Sequence, residues 1–173
     1  MSASYEDLPV RSPRFVFAQH AIRMTCECCG YPTLGLVPFT DGTIDWESCV
    51  LGCLLCDWES APARDDGTPD PAAPAPEVRN EGYTLATARA NVARFAWMYD
   101  PDRPEPWMGG RPSNDELAVR LDLRDAYDRL VAEPGPYLPW DLWDEVLGCE
   151  ARLRDAEARR ARVVQFSADR EDA

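Results

Sequence analysis

The sequence predicts an α+β fold, in which a small module of short β-hairpins and two cysteine knuckles precedes a C-terminal part of three helices. Three observations carry this prediction. Two C-x-x-C pairs lie in the first third of the 173 residues, apolar residues recur at helical spacing in the second half, and a stretch rich in proline and alanine lies between them. We expect five segments: an N-terminal arm and strand (1–24), the cysteine module (25–60), a linker (61–82), a helical region (83–166) and a tail (167–173).

The cysteine module holds six of the seven cysteines. Cys26 and Cys29 form one C-x-x-C pair, and Cys53 and Cys56 form another after 23 intervening residues. Two pairs at this separation are typical of a zinc ribbon, in which each short turn supplies two thiolates to one tetrahedral Zn²⁺. We therefore predict that Cys26, Cys29, Cys53 and Cys56 bind a structural zinc ion.

The residue after each pair supports this interpretation. A turn that aims two sulfurs at one point needs a sharp bend, and glycine adopts the left-handed backbone at little cost. Gly30 follows the first pair. Asp57 follows the second, and aspartate tolerates the left-handed conformation better than most residues.

Three other residues are weaker candidates for the site. His20 is the one histidine and lies six positions before Cys26; because four cysteines complete a structural site, we interpret it as a strand residue. Cys28 is expected to point away from the metal, and Cys49 is a spare thiol. Exchange of Cys28 into the ligand set, a two-metal cluster shared by six thiolates, and a redox role for Cys28 or Cys49 remain alternatives.

The motifs of the module resemble those of the small bacterial cysteine-rich CPCC proteins. The similar runs are CECCGYPTL (26–34), CLLCDWE (53–59) and YTLATARANVARF (83–95), so the resemblance covers roughly residues 25–95. Glu27 and Leu54 stand where the family has prolines, and the segment between the two pairs is longer and carries the extra Cys49. The resemblance implies a zinc-binding module and transfers no catalytic activity.

Charge and composition narrow the classes of partner. The formal net charge is −13, so the chain repels phosphate backbones and anionic lipid, which disfavours nucleic-acid binding. No stretch approaches the length of a membrane span, and the first residues, MSASYED, are acidic where a signal peptide is basic. We expect a cytoplasmic protein, a setting in which clustered thiols stay reduced and bind metals.

Strand signals surround the first cysteine pair. Residues 14–24 are rich in aromatic and β-branched side chains with partial alternation, which predicts one strand entering the first knuckle. Residues 35–39 and 43–46 flank an Asp-Gly turn signal and predict a hairpin between the knuckles. Five prolines in residues 61–80 favour an extended polyproline conformation in the linker.

The first predicted helix begins after Thr84 as N-cap and ends before Pro101. Asn91 within it is expected to bond a nearby backbone group. The apolar stripe consists of residues three or four apart: Leu85, Ala88, Val92, Phe95 and Tyr99.

The second helix should run from Asn114 to about Ala132. It opens with a capping box, in which Ser113 accepts from the Glu116 N–H and the Glu116 carboxylate reaches back. Its stripe is Val119, Leu123, Ala126 and Leu130.

The third helix should begin near Pro139 and run toward Val164. Its stripe is Leu142, Val146, Cys149, Leu153 and Ala156, which makes Cys149 a core residue. The arginines of residues 157–162 suit the C-terminal end of a helix dipole.

Several aromatic residues have two readings. Trp107 and Met108 in the preceding loop either tuck into a groove, which we favour, or contact a partner. Trp140 and Trp143 form either core packing against the second helix or an anchor for a partner protein.

The chain lacks a glycine-rich phosphate loop, a G-x-S-x-G motif and an H-E-x-x-H motif. A zinc ion with four thiolate ligands has no open position for water, so it would not catalyse. We predict a non-enzymatic zinc protein that binds a basic protein partner, most concretely as the immunity or antitoxin partner of a toxin such as a nuclease. The alternatives are a nucleic-acid or transcription-associated zinc-ribbon protein and a thiol redox protein.

Overall fold

The computed structural model describes residues 15–18, 21–36, 52–60, 75–102, 112–133 and 139–171. Within these ranges the predicted mixed α+β class is confirmed. None of the described helices combines the length and the apolar character needed to cross a membrane. The elements in chain order are β1 (Phe15–Ala18), β2 (Ala21–Met24), β3 (Leu34–Leu36), α1 (Pro76–Arg79), α2 (Leu85–Phe95), α3 (Asn114–Ala132) and α4 (Trp140–Glu171).

The three strands form one antiparallel sheet in the order β1-β2-β3. In β1 and β2, Phe15 lies opposite Met24 and Ala18 opposite Ala21, and Met24 also lies opposite Leu34 of β3. The prediction of a single strand over 14–24 is therefore wrong. The reversal was missed because apolar residues continue on both sides of it and no Gly, Pro, Asn or Asp marks it.

Most of the predicted hairpin over residues 35–46 lies outside the described residues, although residues 35 and 36 belong to β3. His20, Cys49, Trp107 and Met108 also lie outside them. The roles predicted for these four side chains stay predictions.

The end of the predicted linker is folded. Residues 76–79 form the short helix α1, which begins with proline at a position where a helix tolerates it. Asn80 then pairs with the backbone of Glu59: its Oδ1 accepts from the Glu59 N–H at 2.7 Å, and its Nδ2 donates to the Glu59 carbonyl at 3.1 Å. This segment is therefore attached to the cysteine module.

Helix α2 begins as predicted, with the Thr84 side chain accepting from the Thr87 N–H. It ends at Phe95, because Ala96 takes a left-handed conformation with φ of 54°. Tyr99 therefore lies beyond the helix instead of on its stripe. The expectation for Asn91 is confirmed, since its Nδ2 donates to the Met98 carbonyl at 2.8 Å and fixes the chain after the helix.

Helix α3 spans the predicted range, and Ser113 accepts from the Glu116 N–H at 3.1 Å. The second half of the predicted capping box is wrong. The Glu116 carboxylate is fully buried and contacts Arg120 at 3.3 Å and Arg160 at 3.2 Å. Two guanidinium groups on the core side attract it more strongly than one backbone N–H.

Helix α4 continues to Glu171, beyond the expected end near Val164 and through most of the predicted tail. No proline or glycine follows Gly148, and alanine, arginine and glutamate are good helix formers. The sequence after Val164 thus contains no residue that would end the helix.

Helices α3 and α4 pack antiparallel. Three ion pairs show this, because they join Asp122 to Arg152, Arg129 to Glu145 and Glu116 to Arg160. Both predicted stripes face the core, where they continue into the buried residues of the cysteine module without a break. The described part of the chain thus has one shared core.

The two tryptophans at the start of α4 have different environments. Trp143 is 2% exposed and belongs to the core, whereas Trp140 is 64% exposed. The Arg23 guanidinium lies 5.1 Å from the centre of the Trp143 ring. Core packing is therefore confirmed for Trp143, and a partner-binding role for Trp140 stays a prediction.

Candidate metal centre

Knuckle 1, which comprises residues 26–31, is a tight backbone turn. The Cys26 N–H donates to the Tyr31 carbonyl at 2.9 Å, and the Gly30 N–H donates to the Cys26 carbonyl at 2.9 Å. Gly30 has φ of 80°, the left-handed region that the sequence predicts for it. The turn places the Cys26 and Cys29 side chains on the side that faces the second pair.

Knuckle 2, which comprises residues 53–58, repeats this turn. The Cys53 N–H donates to the Trp58 carbonyl at 2.9 Å, and the Asp57 N–H donates to the Cys53 carbonyl at 2.8 Å. Asp57 has φ of 63°, so the expectation of a left-handed aspartate is confirmed. The two knuckles thus share the same backbone turn.

The structure brings the four predicted sulfurs together. The Sγ atoms of Cys26, Cys29, Cys53 and Cys56 all lie within 4.8 Å of one another. Across the knuckles, the Sγ atoms of Cys26 and Cys56 are 3.8 Å apart, and those of Cys29 and Cys53 are 3.7 Å apart. These distances are far longer than a disulfide bond of about 2.05 Å, and all four are free cysteines.

The spacing fits a tetrahedral metal ion. With Zn–S bonds of about 2.3 Å, two ligands of a regular tetrahedron are roughly 3.8 Å apart. Both distances across the knuckles agree with that value. Four soft thiolates suit Zn²⁺, Cu⁺ or iron–sulfur chemistry and do not suit Mg²⁺ or Ca²⁺.

Mutual hydrogen bonds perturb the thiols. Bonding with Cys29 lowers the pKa of Cys26 far below its usual range, and the same interaction raises the pKa of Cys29. Burial raises the pKa of Cys56. One thiolate therefore forms at the expense of its neighbours, and a dication that stabilises four thiolates must displace the remaining protons.

The sulfur cluster is enclosed. Cys26 and Cys56 are fully buried, Cys53 is 2% exposed, and Cys29 is half-buried. Leu34, Leu55 and Trp58 are also fully buried and share the same core. Solvent can therefore approach the four sulfurs mainly past Cys29.

Three polar groups donate or can donate to the sulfurs. The Cys28 N–H lies 3.4 Å from Cys26 Sγ, and the Cys56 N–H lies 3.4 Å from Cys53 Sγ. The Thr33 hydroxyl lies 2.9 Å from Cys53 Sγ. Such outer contacts orient thiolate ligands and reduce their effective charge.

Arg120 of α3 connects knuckle 2 to both long helices. Its guanidinium is fully buried and donates to the Leu55 carbonyl and to both oxygens of Asp57, at 3.2 and 3.3 Å. It also bonds Glu116 at 3.3 Å and Glu157 of α4 at 2.6 Å. Burial alone would lower the pKa of Arg120, but the three carboxylates outweigh that effect and raise it, so the side chain stays charged.

Arg23 of β2 makes a second buried link between the sheet and α4. Its Nη2 lies 3.0 Å from Oε2 of Glu150, which is fully buried and also accepts from the Tyr127 hydroxyl. The Tyr127 ring stacks on Tyr31 of knuckle 1, with the ring centres 5.4 Å apart. Tyr31 in turn donates to Asp128 at 2.6 Å.

The sequence reasoning missed these ion-pair residues. A signal for them existed, because Glu116 and Arg120 extend the α3 stripe of Leu123 and Leu130 toward the N-terminus at helical spacing. In α4, Glu150 lies three residues before Leu153 on the same stripe. Charged residues at positions of a buried stripe indicate buried ion pairs.

The other described cysteines lie outside the four-sulfur group. Cys28 is 6% exposed and belongs to the core, beside but not among the four converging sulfurs. Cys149 of α4 is 5% exposed, which confirms its predicted core position, and its sulfur accepts from Arg152 at 3.1 Å.

Comparison with known proteins adds no name to this geometry, because no family model matches the chain and no curated protein or solved structure is significantly similar to it. The resemblance to the CPCC proteins stays a prediction from short motifs. The structure shows a largely buried group of four cysteine sulfurs that could hold one metal ion.

Proposed function

We propose that this chain is a non-enzymatic zinc protein that acts by binding another protein. The observation that carries the proposal is the convergence of four cysteine sulfurs within 4.8 Å from two matched turns. In this interpretation the module is a zinc ribbon, and Cys26, Cys29, Cys53 and Cys56 are its ligands. The metal is structural, because four thiolates leave it no open position for water or substrate.

Zinc explains why so small a sheet is stable. The three strands have four, four and three residues, which is short for a sheet that must support itself. A bound Zn²⁺ adds on the order of 10 kcal/mol to such modules, because the ligands are assembled only in the folded state. The metal would thus hold the sheet and both knuckles against the helices.

Metal analysis tests this part of the proposal. Protein purified without added zinc is expected to contain about one Zn per chain. Cys28→Ser is a matched control in the same turn and should keep the metal. Wild-type protein with no metal, or with its four cysteines paired as disulfides, would overturn the zinc centre.

The acidic surface supports a basic partner. The net charge is −13, and the arginines of β2 and of the middle of α3 are neutralised in the interior by carboxylates. On the first turns of α4, the exposed Trp140 is followed by the exposed acidic residues Asp141 and Asp144, and by Glu145, which pairs with Arg129. Acidic residues near an exposed aromatic side chain complement a protein surface rich in arginine or lysine.

The most concrete version is an immunity or antitoxin partner of a basic toxin. Here the negative face would steer association and cover a cationic site, such as that of a nuclease. The test is titration calorimetry against basic proteins encoded next to this chain. We expect a complex that weakens steeply between 50 and 500 mM salt.

A variant pair locates the contact. Trp140→Ala should weaken the complex by at least tenfold, as expected for an anchor residue. Val78→Ala removes another exposed apolar side chain, from α1, and should change little. If no neighbouring product binds, the antitoxin version is wrong.

Two results would favour the other classes. A gel shift with DNA or RNA at low salt would favour a nucleic-acid-binding ribbon. Loss of a measurable activity on alkylation of Cys28 or Cys49, with zinc still bound, would favour a thiol redox protein.

A further inference from the structure

Thr33 stands out among the residues around the sulfurs. It lies just before β3 and is 4% exposed, and its Oγ1 is 2.9 Å from Cys53 Sγ. The same oxygen is 3.4 Å from the Tyr31 carbonyl of knuckle 1. A hydroxyl from the chain after knuckle 1 therefore reaches a sulfur of knuckle 2.

The hydroxyl is placed to donate to the sulfur of Cys53. It has one proton to donate and two lone pairs to accept with, and a metal-bound thiolate has no proton, so the hydroxyl would be the donor of this pair. The Tyr31 carbonyl still accepts from the Cys26 N–H and the Thr33 N–H, both at 2.9 Å, so it keeps its partners.

Charge makes this donation to the sulfur important. Four thiolates and one Zn²⁺ carry a formal charge of −2, and burial makes such a charge costly unless donors surround it. Cys53 already accepts the Cys56 N–H at 3.4 Å. The Thr33 hydroxyl is closer to the sulfur than this backbone donor is.

We propose that Thr33 is a positioning residue of the metal centre, whose hydroxyl donates to the metal-bound Cys53 sulfur and sets the zinc affinity. This inference rests on the proposed zinc centre. Thr33 does not touch the metal. It orients the Cys53 sulfur and removes electron density from it, which are the two effects of an outer hydrogen bond on a thiolate ligand.

The test compares three variants with wild type. Thr33→Val removes the hydroxyl and keeps the shape, Thr33→Ser keeps the hydroxyl, and Ser60→Ala removes another buried hydroxyl of the module. Ser60 is the matched control, because it is 5% exposed and its Oγ has no hydrogen-bond partner among the described residues. Zinc affinity is measured by competition with a chromophoric chelator.

We expect Thr33→Val to lower the zinc affinity by roughly 10–100-fold, as loss of an outer hydrogen bond does at other metal sites. Thr33→Ser and Ser60→Ala should stay close to wild type. With Co²⁺ in place of zinc, Thr33→Val should also shift the sulfur-to-cobalt charge-transfer band to longer wavelength, since an undonated thiolate gives up an electron more easily. A purely structural role would not move this band.

The outcomes separate the two proposals. Wild-type protein that binds no zinc or Co²⁺ at all overturns the zinc centre. Tight zinc binding with the same affinity and spectrum in Thr33→Val overturns only the role of Thr33. If Thr33→Val does not fold, Thr33→Ala and Thr33→Ser replace it: a weakened Ala variant with a normal Ser variant supports the role, and equal weakening of both assigns the effect to the lost methyl group and overturns it.

Discussion

Knuckles 1 and 2 share their backbone hydrogen bonds but differ in how they attach to the rest of the molecule. Knuckle 1 bends at Gly30, which is exposed, and knuckle 2 bends at Asp57, whose carboxylate is bound by Arg120 and by the Trp97 indole N–H. One turn geometry is thus compatible with two residues at the bend. Asp57 adds a link to the core that glycine cannot supply.

The outer contacts show the same contrast. Besides the stack of Tyr31 on Tyr127, knuckle 1 is attached to the helices through exposed hydrogen bonds, from Tyr31 to Asp128 and from Arg89 to the Glu27 carbonyl. Knuckle 2 is attached through the fully buried guanidinium of Arg120. A shared metal would therefore couple a loosely held turn to a firmly held one, and the following variants measure each contribution.

The largest effect is expected where the knuckles are equivalent. Cys53→Ser and Cys26→Ser should each abolish metal binding and unfold the sheet, because either change leaves three ligands and removes a term on the order of 10 kcal/mol. Metal content and circular dichroism of the purified variants provide the measurement. A variant of either knuckle that keeps one tightly bound zinc would show that the four sulfurs do not act together.

The second-largest loss of stability is expected where Arg120 attaches knuckle 2 to the helices. Arg120→Met removes one of the two guanidinium partners of the buried Glu116 and the shared partner of Asp57 and Glu157, so it should lower the stability of the zinc-loaded protein by about 3–5 kcal/mol in urea unfolding. Arg124→Met is the matched control one turn later on α3, where the side chain is partly exposed and bonds the Ala93 carbonyl at 3.3 Å. Equal losses in the two variants would contradict a special role for the buried guanidinium.

An exchange of the bend residues sharpens the comparison. Asp57→Gly removes two acceptors of the buried Arg120 guanidinium and should lower the free energy of unfolding by about 2–3 kcal/mol, although glycine suits the left-handed backbone at this position. Gly30→Asp places a side chain where a Cβ meets no atom within 4 Å, so its cost should be about 1 kcal/mol, from the left-handed backbone alone. Thermal unfolding of both zinc-loaded variants gives the order, and the reverse order would show that backbone strain dominates.

The smallest effect is expected at the edge of knuckle 1. Tyr31→Phe removes the bond to Asp128 and keeps the ring stacked on Tyr127, so urea unfolding should show a loss of about 0.5 kcal/mol. Tyr31→Ala, which also removes the stack, should lose clearly more. A loss in Tyr31→Phe as large as that of Arg120→Met would mean that the two attachments are equally strong.

Local signals in the sequence predicted what depends on local chemistry. The cysteine spacing identified the four converging sulfurs, turn preferences identified Gly30 and Asp57, and capping rules identified Thr84 and Ser113. The caps, the bends and each cysteine pair depend on residues within a few positions of one another, and the convergence of the two pairs follows from the repeated C-x-x-C spacing.

What the sequence did not reveal depends on residues far apart in the chain. The acceptors of Arg120 come from knuckle 2, α3 and α4. Helical spacing places Arg120 on the buried stripe of α3, but no short sequence pattern shows which distant acceptors it contacts. The charge of Glu116 and Arg120 also concealed their burial, because an arginine and a glutamate near a helix start are ordinarily surface or capping residues. The strand reversal between β1 and β2 was missed because its signal is weak.

The ion pair between Arg23 and Glu150 has a consequence for how the chain is made. The two residues are separated by 127 positions, and a ribosome adding about 5–20 residues per second needs on the order of ten seconds to cover that distance. All four sulfurs have by then left the exit tunnel. A metal ion bound by the four sulfurs would therefore be captured while Arg23 still lies in water, and α4 would pack onto the sheet only afterwards.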